Sequence, residues 1–178
     1  MIRKGDNIMS GIGFKTRELG DWKIVHDTDM FENKRVVLFS LPGAFTPTCS
    51  TQQLPKYEEL YDEIVKYDID EVYCVSVNDS FVMNAWFDSL EIEKVKAVPD
   101  GSGNFTRWVK MLVDKENLGF GYRSWRYAAI INNGEVEEVW VEPGFENCTP
   151  ADPYEVSDPW TVLKWLKKWK LGNENSSL

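Results

Sequence analysis

Four short runs of apolar, mostly branched residues punctuate the chain: Val36 to Phe39, Val72 to Val77, Ala128 to Ile131 and Val136 to Val141. Runs of this length and composition predict buried β-strands. The last two flank Asn132-Asn133-Gly134, residues that tolerate the positive φ of a tight turn, so they predict a hairpin. Between the first two, Leu54, Tyr57, Leu60, Tyr61, Ile64 and Val65 recur three and four residues apart, the stripe of one helix packed on one side. Further helices are predicted over Phe81 to Leu90, around Phe105 to Met111 and over Trp160 to Leu171, the last opened by Asp158 as cap and Pro159 in the first turn. This order of strands and helices predicts an α/β fold, a mixed sheet with helices on both faces and an antiparallel edge. No repeat or linker divides the chain, and polar Gly172 to Leu178 is expected to fray.

With 178 residues, 43% of them hydrophobic, the chain suffices for one soluble domain over residues 1–178 with a sizeable core, and is short for two. A net charge of −9, with no basic cluster among aromatics, argues against nucleic acid and anionic membrane as partners. No apolar run approaches the roughly 20 residues that span a bilayer. Met1-Ile2-Arg3-Lys4 leads into Gly5-Asp6-Asn7 and not into a signal-peptide apolar region, so a cytoplasmic protein is expected. Asn104-Phe105-Thr106 and Asn147-Cys148-Thr149 fit the glycosylation pattern, which has no meaning without a secretory signal. Cys49, Cys74 and Cys148 stand far apart with His26 as the lone histidine, which argues against a zinc site; no metal or bound cofactor is expected. His26 itself is expected in a loop or on the surface. An odd number of cysteines in a reducing compartment suggests free or catalytic thiols.

Cys49 differs from the other two in its surroundings. Directly after the first strand, Pro42 and Gly43 break the extended chain, Pro47 suits a first helical turn, and Cys49 follows at the helix start. Free amides and the positive dipole end there favour thiolate over thiol, and only the thiolate is a good nucleophile. Thr46 adds a hydroxyl at the apex of the loop.

Leu41-Pro-Gly-Ala-Phe-Thr-Pro-Thr-Cys-Ser50 resembles the Pro-x-x-x-Thr-x-x-Cys motif of the peroxiredoxins, and its fuller wording is similar to the type II, or peroxiredoxin-five, subfamily. The resemblance extends through Ile2 to Asp6, Val77-Asn78-Asp79, Pro99-Asp100-Gly101 and Arg123 to Ala128 to Asp152-Pro-Tyr-Glu-Val-Ser-Asp158, nearly the whole chain. It implies a thioredoxin-like fold and a thiol peroxidase acting on hydrogen peroxide and small alkyl hydroperoxides through a cysteine sulfenic acid, in antioxidant defence. Such a reaction needs sulfur held as thiolate, the O–O bond aligned behind it, and donors where the leaving oxygen becomes anionic. Cys49 meets the first need. Thr46 is placed to donate a hydrogen bond to the peroxide and to receive one, and the amides of Thr48 and Cys49 to face the developing charge. Arg126, at the start of a buried strand, is the candidate cation, since a guanidinium stays charged at physiological pH and the residue matches the family's catalytic arginine. Its bland alternative is a surface ion pair with one of 29 acidic residues. Arg123 ranks second. Pro42 is expected to shield the thiolate, a position that strand termination alone would also explain. Many type II members carry Cys-Ser-x-x-His, whereas this chain has Cys49-Ser-Thr-Gln-Gln53; glutamine does not titrate, which argues against proton shuttling there.

Two cysteines are candidates for resolving the sulfenic acid. Cys74 stands 24 intervening residues after Cys49, the spacing of the resolving cysteine in plant-like type II members, but a central-strand thiol is expected to be buried and inert unless the Cys49 helix opens. Cys148 lies in a proline- and glycine-rich loop, in a late region where other members place theirs. The segment Asp152 to Asp158 resembles bacterial forms that rely on glutathione or glutaredoxin, which implies glutathione with glutaredoxin as electron donor, and thioredoxin as second choice. The subfamily also implies a homodimer; Phe45, Phe120, Tyr122, Trp125 and Phe145 are divided between core, a collar around the thiolate and that contact. An alternative of a different class is a redox-responsive interaction protein that signals through oxidised Cys49 with slow turnover. A disulfide reductase is disfavoured by the absence of Cys-x-x-Cys.

Overall fold

The apolar run around Val37 becomes the centre of the sheet because both of its faces are covered. Strand β3 (Arg35–Ser40) is buried at all six positions. The computed structural model describes residues 1–175. In it β3 pairs in parallel with β4 (Glu71–Ser76), β4 with β5 (Lys96–Pro99), and β3 antiparallel with β8 (Tyr127–Asn132), which pairs with β9 (Glu135–Val141). The order is therefore β5-β4-β3-β8-β9, a mixed sheet with the hairpin as its antiparallel edge. All four expected strands are present, each extended by a residue or shifted by one. Asn133 and Gly134 turn the hairpin at φ 49° and 82°, and a Cβ on Gly134 would lie 2.5 Å from the Met9 side chain, so this turn needs glycine for its backbone and for space.

Alternation along β3 splits the core in two. Val37 and Phe39 face α2 (Leu54–Glu59), α3 (Tyr61–Val65), α4 (Ser80–Ser89) and α6 (Pro159–Asn175), while Val36 and Leu38 face α1 (Asp27–Phe31), α5 (Asn104–Trp108) and the N-terminal segment. Helices thus cover both faces, and the mixed sheet with an antiparallel edge is the α/β layout expected.

Three expectations change in detail. The helical stripe over residues 54–65 keeps Leu54, Tyr57 and Ile64 buried but is interrupted at Leu60, at φ −97° and ψ 5°. The segment expected to be helical to Met111 stops at Trp108, and Lys110 turns at φ 60°. Gly172 to Asn175, expected in a frayed tail, continue α6; Ser176 to Leu178 lie outside the described residues. Pattern did not reveal β5, nor the hairpins β1 (Gly13–Glu18) with β2 (Asp21–His26) and β6 (Leu112–Asp114) with β7 (Tyr122–Ser124). In β2 no residue is buried, so no alternation existed to read. Among the described residues no helix is long and apolar enough to cross a membrane.

Candidate active site

Ser40 is the last residue of β3 and pairs with Tyr127, the first of β8, so the loop leaving one strand and the residue entering the other meet at the same end of the sheet. Pro42 has no N–H to continue the ladder, and it is buried where the loop begins. Asn78 pins the loop: its Oδ1 accepts from the Ala44 N–H at 3.0 Å and from the Ser76 hydroxyl at 2.6 Å. Arg123 closes it from the other side, donating to the Pro42 carbonyl at 3.4 Å. A Cβ on Gly43 would come within 2.6 Å of Arg123 Nη1, so glycine is what permits this approach.

The helix that follows starts at Pro47, and its first bond runs from the Ser50 N–H to the Thr46 carbonyl at 3.0 Å. The amides of Thr48 and Cys49 therefore precede the intrahelical ladder, as expected. The Thr46 hydroxyl donates to the Gly43 carbonyl at 2.7 Å. Its proton is thereby committed, so Thr46 offers a bound molecule an acceptor, and the donor expected of it is engaged within the loop. Residues Cys49–Gln53 form a π-helical turn, with the Leu54 N–H bonded to the Cys49 carbonyl five residues back. The cause is legible in the chain. Pro55 lacks the N–H that an α-helix would donate to Thr51, and the register slips there. Cys49 and Gln53, four residues apart, are both fully buried on one face of this turn.

Arg126 completes the site. It is 1% exposed, and its Nη1 lies 3.5 Å from Cys49 Sγ while also donating to Gln53 Oε1. Nε donates to the Pro153 carbonyl at 3.0 Å and Nη2 bonds the Asp152 carboxylate. Burial works against the charge, but the negative groups on Cys49 and Asp152 outweigh it and raise the Arg126 pKa. An ion pair with an acidic residue is therefore present, yet it is turned inward and shared with the thiol. Arg123, ranked second, does not touch the sulfur. Burial pulls its pKa down while Cys49 pulls it up, which places it within the field of the thiol behind Arg126.

A model of the Redoxin family matches residues 15–155, and a peroxiredoxin of Sinorhizobium fredii is 59% identical over 146 residues, covering 82% of this chain and 78% of that protein. The chain belongs to the peroxiredoxins. Its loop wording is consistent with the type II subfamily. Peroxiredoxins are thiol peroxidases, which makes the chain an antioxidant oxidoreductase. Among solved structures, a one-cysteine peroxiredoxin, the antioxidant protein of Plasmodium falciparum, is 36% identical at TM-score 0.88, over 94% of this chain and 99% of that one. Reduced Prx3 of Vibrio vulnificus in complex with hydrogen peroxide is 36% identical at TM-score 0.83, over 93% of this chain and 99% of that one.

In this peroxiredoxin the remaining candidates separate by position. Cys74 is fully buried in β4, opposite Phe39; burial pushes its thiol pKa well up, Cys49 adds to the rise and Arg126 opposes it. Cys148 is exposed, at φ 55°, in the loop after β9. His26 is exposed at the end of β2 with Asp29 beside it. Trp125 is buried with its indole N–H on the Glu142 carbonyl and Phe145 against its ring, so both serve packing, whereas Phe45 and Tyr122 stand exposed. Sequence reading did not single out Asp152 and Pro153 as partners of Arg126, nor Ser157 and Glu142 behind Gln53. The signal available was the Asp152-to-Asp158 segment, which the resemblance marked for its bearing on the electron donor and not for contact with Arg126.

Proposed function

We propose that the chain reduces hydrogen peroxide and small organic hydroperoxides through a sulfenic acid on Cys49 and that glutathione, with glutaredoxin, returns the thiol. The observation that carries this reading is Arg126 Nη1 at 3.5 Å from Cys49 Sγ, beside a helix start whose amides precede the ladder. The thiolate attacks one peroxide oxygen, the O–O bond breaks, and the other oxygen leaves with the electron pair and takes up a proton to become water or an alcohol. Arg126 and the Thr48 and Cys49 amides face the charge that passes from sulfur to oxygen. Thr46 Oγ1 accepts from the peroxide hydroxyl and orients it. Complete burial of Cys49 favours small hydroperoxides and keeps bulk water from the thiolate.

A one-cysteine cycle fits this site best. Cys74 is held in the middle of the sheet as a thiol disinclined to ionise, so joining it to Cys49 requires the π-helical turn to open. After one equivalent of hydrogen peroxide and no added thiol, we expect intact mass to rise by about 16 Da at Cys49. A fall of about 2 Da, mapped to Cys74 or Cys148, would name a resolving cysteine and end the one-cysteine reading. Cys74→Ala is expected to leave the first oxidation at the wild-type rate.

The same cycle predicts its donor. Steady-state peroxide consumption should run faster with glutathione, glutaredoxin and glutathione reductase than with thioredoxin and its reductase; the opposite ranking would assign the chain to thioredoxin. We place the enzyme in the cytoplasm as one domain and as a homodimer, for which exposed Phe45, in the active-site loop, and Tyr122, next to Arg123, supply apolar surface.

A further inference from the structure

Behind Arg126 a buried carboxylate has no part in the reaction just described. Glu142 follows β9 directly and is 1% exposed, a burial that an ionised side chain sustains only when its oxygens are well bonded. Its Oε2 accepts from the Glu155 N–H at 2.9 Å, and its Oε1 from the N–H groups of Val156 and Ser157 at 2.9 and 2.8 Å and from the Ser157 hydroxyl at 2.7 Å. Four donors converge on one carboxylate, three of them consecutive main-chain amides. Its backbone is engaged as well, the N–H on the Arg126 carbonyl at 3.1 Å and the carbonyl on the Trp125 indole at 2.8 Å.

We infer that Glu142 is a positioning residue that aims Arg126 at Cys49, by fixing both the direction of a hydrogen-bond chain and the segment that holds the guanidinium. The inference rests on the peroxidase reading of Cys49 and Arg126. The chain starts from a group that can only accept. Because Glu142 takes the Ser157 proton, Ser157 Oγ presents its lone pairs to Gln53 Nε2, 3.4 Å away. The Gln53 amide is thereby turned so that its oxygen, and not its NH2 group, meets Arg126 Nη1. Nη1 is the nitrogen that also donates to Cys49 Sγ. An amide flipped the other way would set two donors against each other and drive the guanidinium off the sulfur. The second route is the main chain. By gathering the amides of residues 155 to 157, Glu142 anchors the stretch whose Pro153 carbonyl and Asp152 carboxylate grip the other two guanidinium nitrogens. Tyr57, with its hydroxyl on the Ser157 carbonyl at 2.8 Å, fixes the same stretch to the Cys49 helix.

The test is a double-mutant cycle read in single turnover. The rate of Cys49 oxidation by hydrogen peroxide is followed by stopped-flow tryptophan fluorescence, using Trp86, whose indole bonds Ser50 beside the nucleophile at 2.9 Å. Glu142→Gln is expected to lower the second-order rate about tenfold, and combining it with Gln53→Leu to cost little beyond Gln53→Leu alone, because both break one chain. Urea denaturation of the same four proteins separates loss of aim from loss of fold. If Glu142→Gln does not fold, Ser157→Ala removes only the hydroxyl link; it should be several-fold slow, with Ser157→Thr restoring the rate. A folded Glu142→Gln within twofold of wild type, effects that multiply in the double variant, or a Ser157→Ala enzyme as fast as wild type would overturn the positioning role. A wild-type chain that does not react with peroxide would instead overturn the peroxidase reading on which it rests.

Discussion

Cys49→Ser is expected to lose peroxide turnover by roughly four orders of magnitude or more while keeping the fold. The sulfur is the group that attacks, and a serine hydroxyl at the same place ionises far too weakly to replace it. Structure gives no reason for collapse. Cys49 belongs to the same core cluster as Leu41, Ala44 and Leu54, and a serine oxygen, though smaller than sulfur, can still accept from Arg126 Nη1. The melting temperature should stay within about 4 °C of wild type, as a change of no more than about 1 kcal/mol gives for a chain of this length. Peroxide consumption with each donor system, beside circular dichroism of the variant, checks both halves. Substantial residual turnover in a folded Cys49→Ser protein would show that another group carries the chemistry, and Cys148, the exposed thiol, would be the first to examine.

How far this site could be read in the sequence follows from which interactions are local. The Cys49 loop is local: Pro42, Gly43, Thr46 and Pro47 each act on the backbone within a few residues, and the strand, turn and helix start they describe are all present. Three of the core strands were legible as apolar runs, β3 and β8 because both of their faces are buried and β4 because four of its six residues are, and β9 was legible from the Asn-Gly turn before it. Arg126 was legible from its place before β8 together with the motif, since an antiparallel neighbour of β3 brings its first residue to the end where β3 releases the loop. The rest depended on contacts far apart in the chain. Residues 77 and 104 positions apart hold Cys49 to Arg126 and Gln53 to Ser157, and no periodicity records such a distance. β5 escaped notice because Lys96-Ala97-Val98-Pro99 is four residues long, holds a single branched apolar residue and ends in proline, yet it pairs with β4 and completes the sheet.

The π-helical turn shows both sides at once. Its cause, Pro55, is plain in the sequence, but its consequence lies in contacts across the fold. An unbroken α-helix was the expectation, and the slip in register is what sets Gln53 beside Arg126 together with Cys49. The departure from histidine at this position thereby acquires a structural meaning. Gln53 accepts from the guanidinium with one end of its amide and donates toward Ser157 with the other, a fixed arrangement that carries no proton.

Arg126→Gln should lower the rate of Cys49 oxidation by hydrogen peroxide by about a hundredfold to a thousandfold, the usual cost of removing one group that faces developing charge in a closed site. Arg126→Lys separates charge from geometry. Lysine keeps the positive charge but has a single point of donation, whereas Arg126 reaches Cys49 and Gln53 with one nitrogen, Asp152 with a second and the Pro153 carbonyl with the third. We therefore expect Arg126→Lys to recover only part of the lost rate. Neither variant can keep together the bonds that Arg126 makes to Gln53, the Pro153 carbonyl and Asp152, so each should also be less stable by about 1 to 3 kcal/mol. Arg123→Gln is the control for charge alone, because Arg123 bonds the Pro42 and Phe120 carbonyls and reaches Cys49 only through its field. Its loss in rate should be smaller than that of Arg126→Gln. Stopped-flow oxidation of the three pre-reduced variants, alongside their urea midpoints, decides the matter: equal losses in Arg126→Gln and Arg123→Gln would mean that net positive charge near the thiol suffices, and that the bond from Nη1 to sulfur is not what drives the attack.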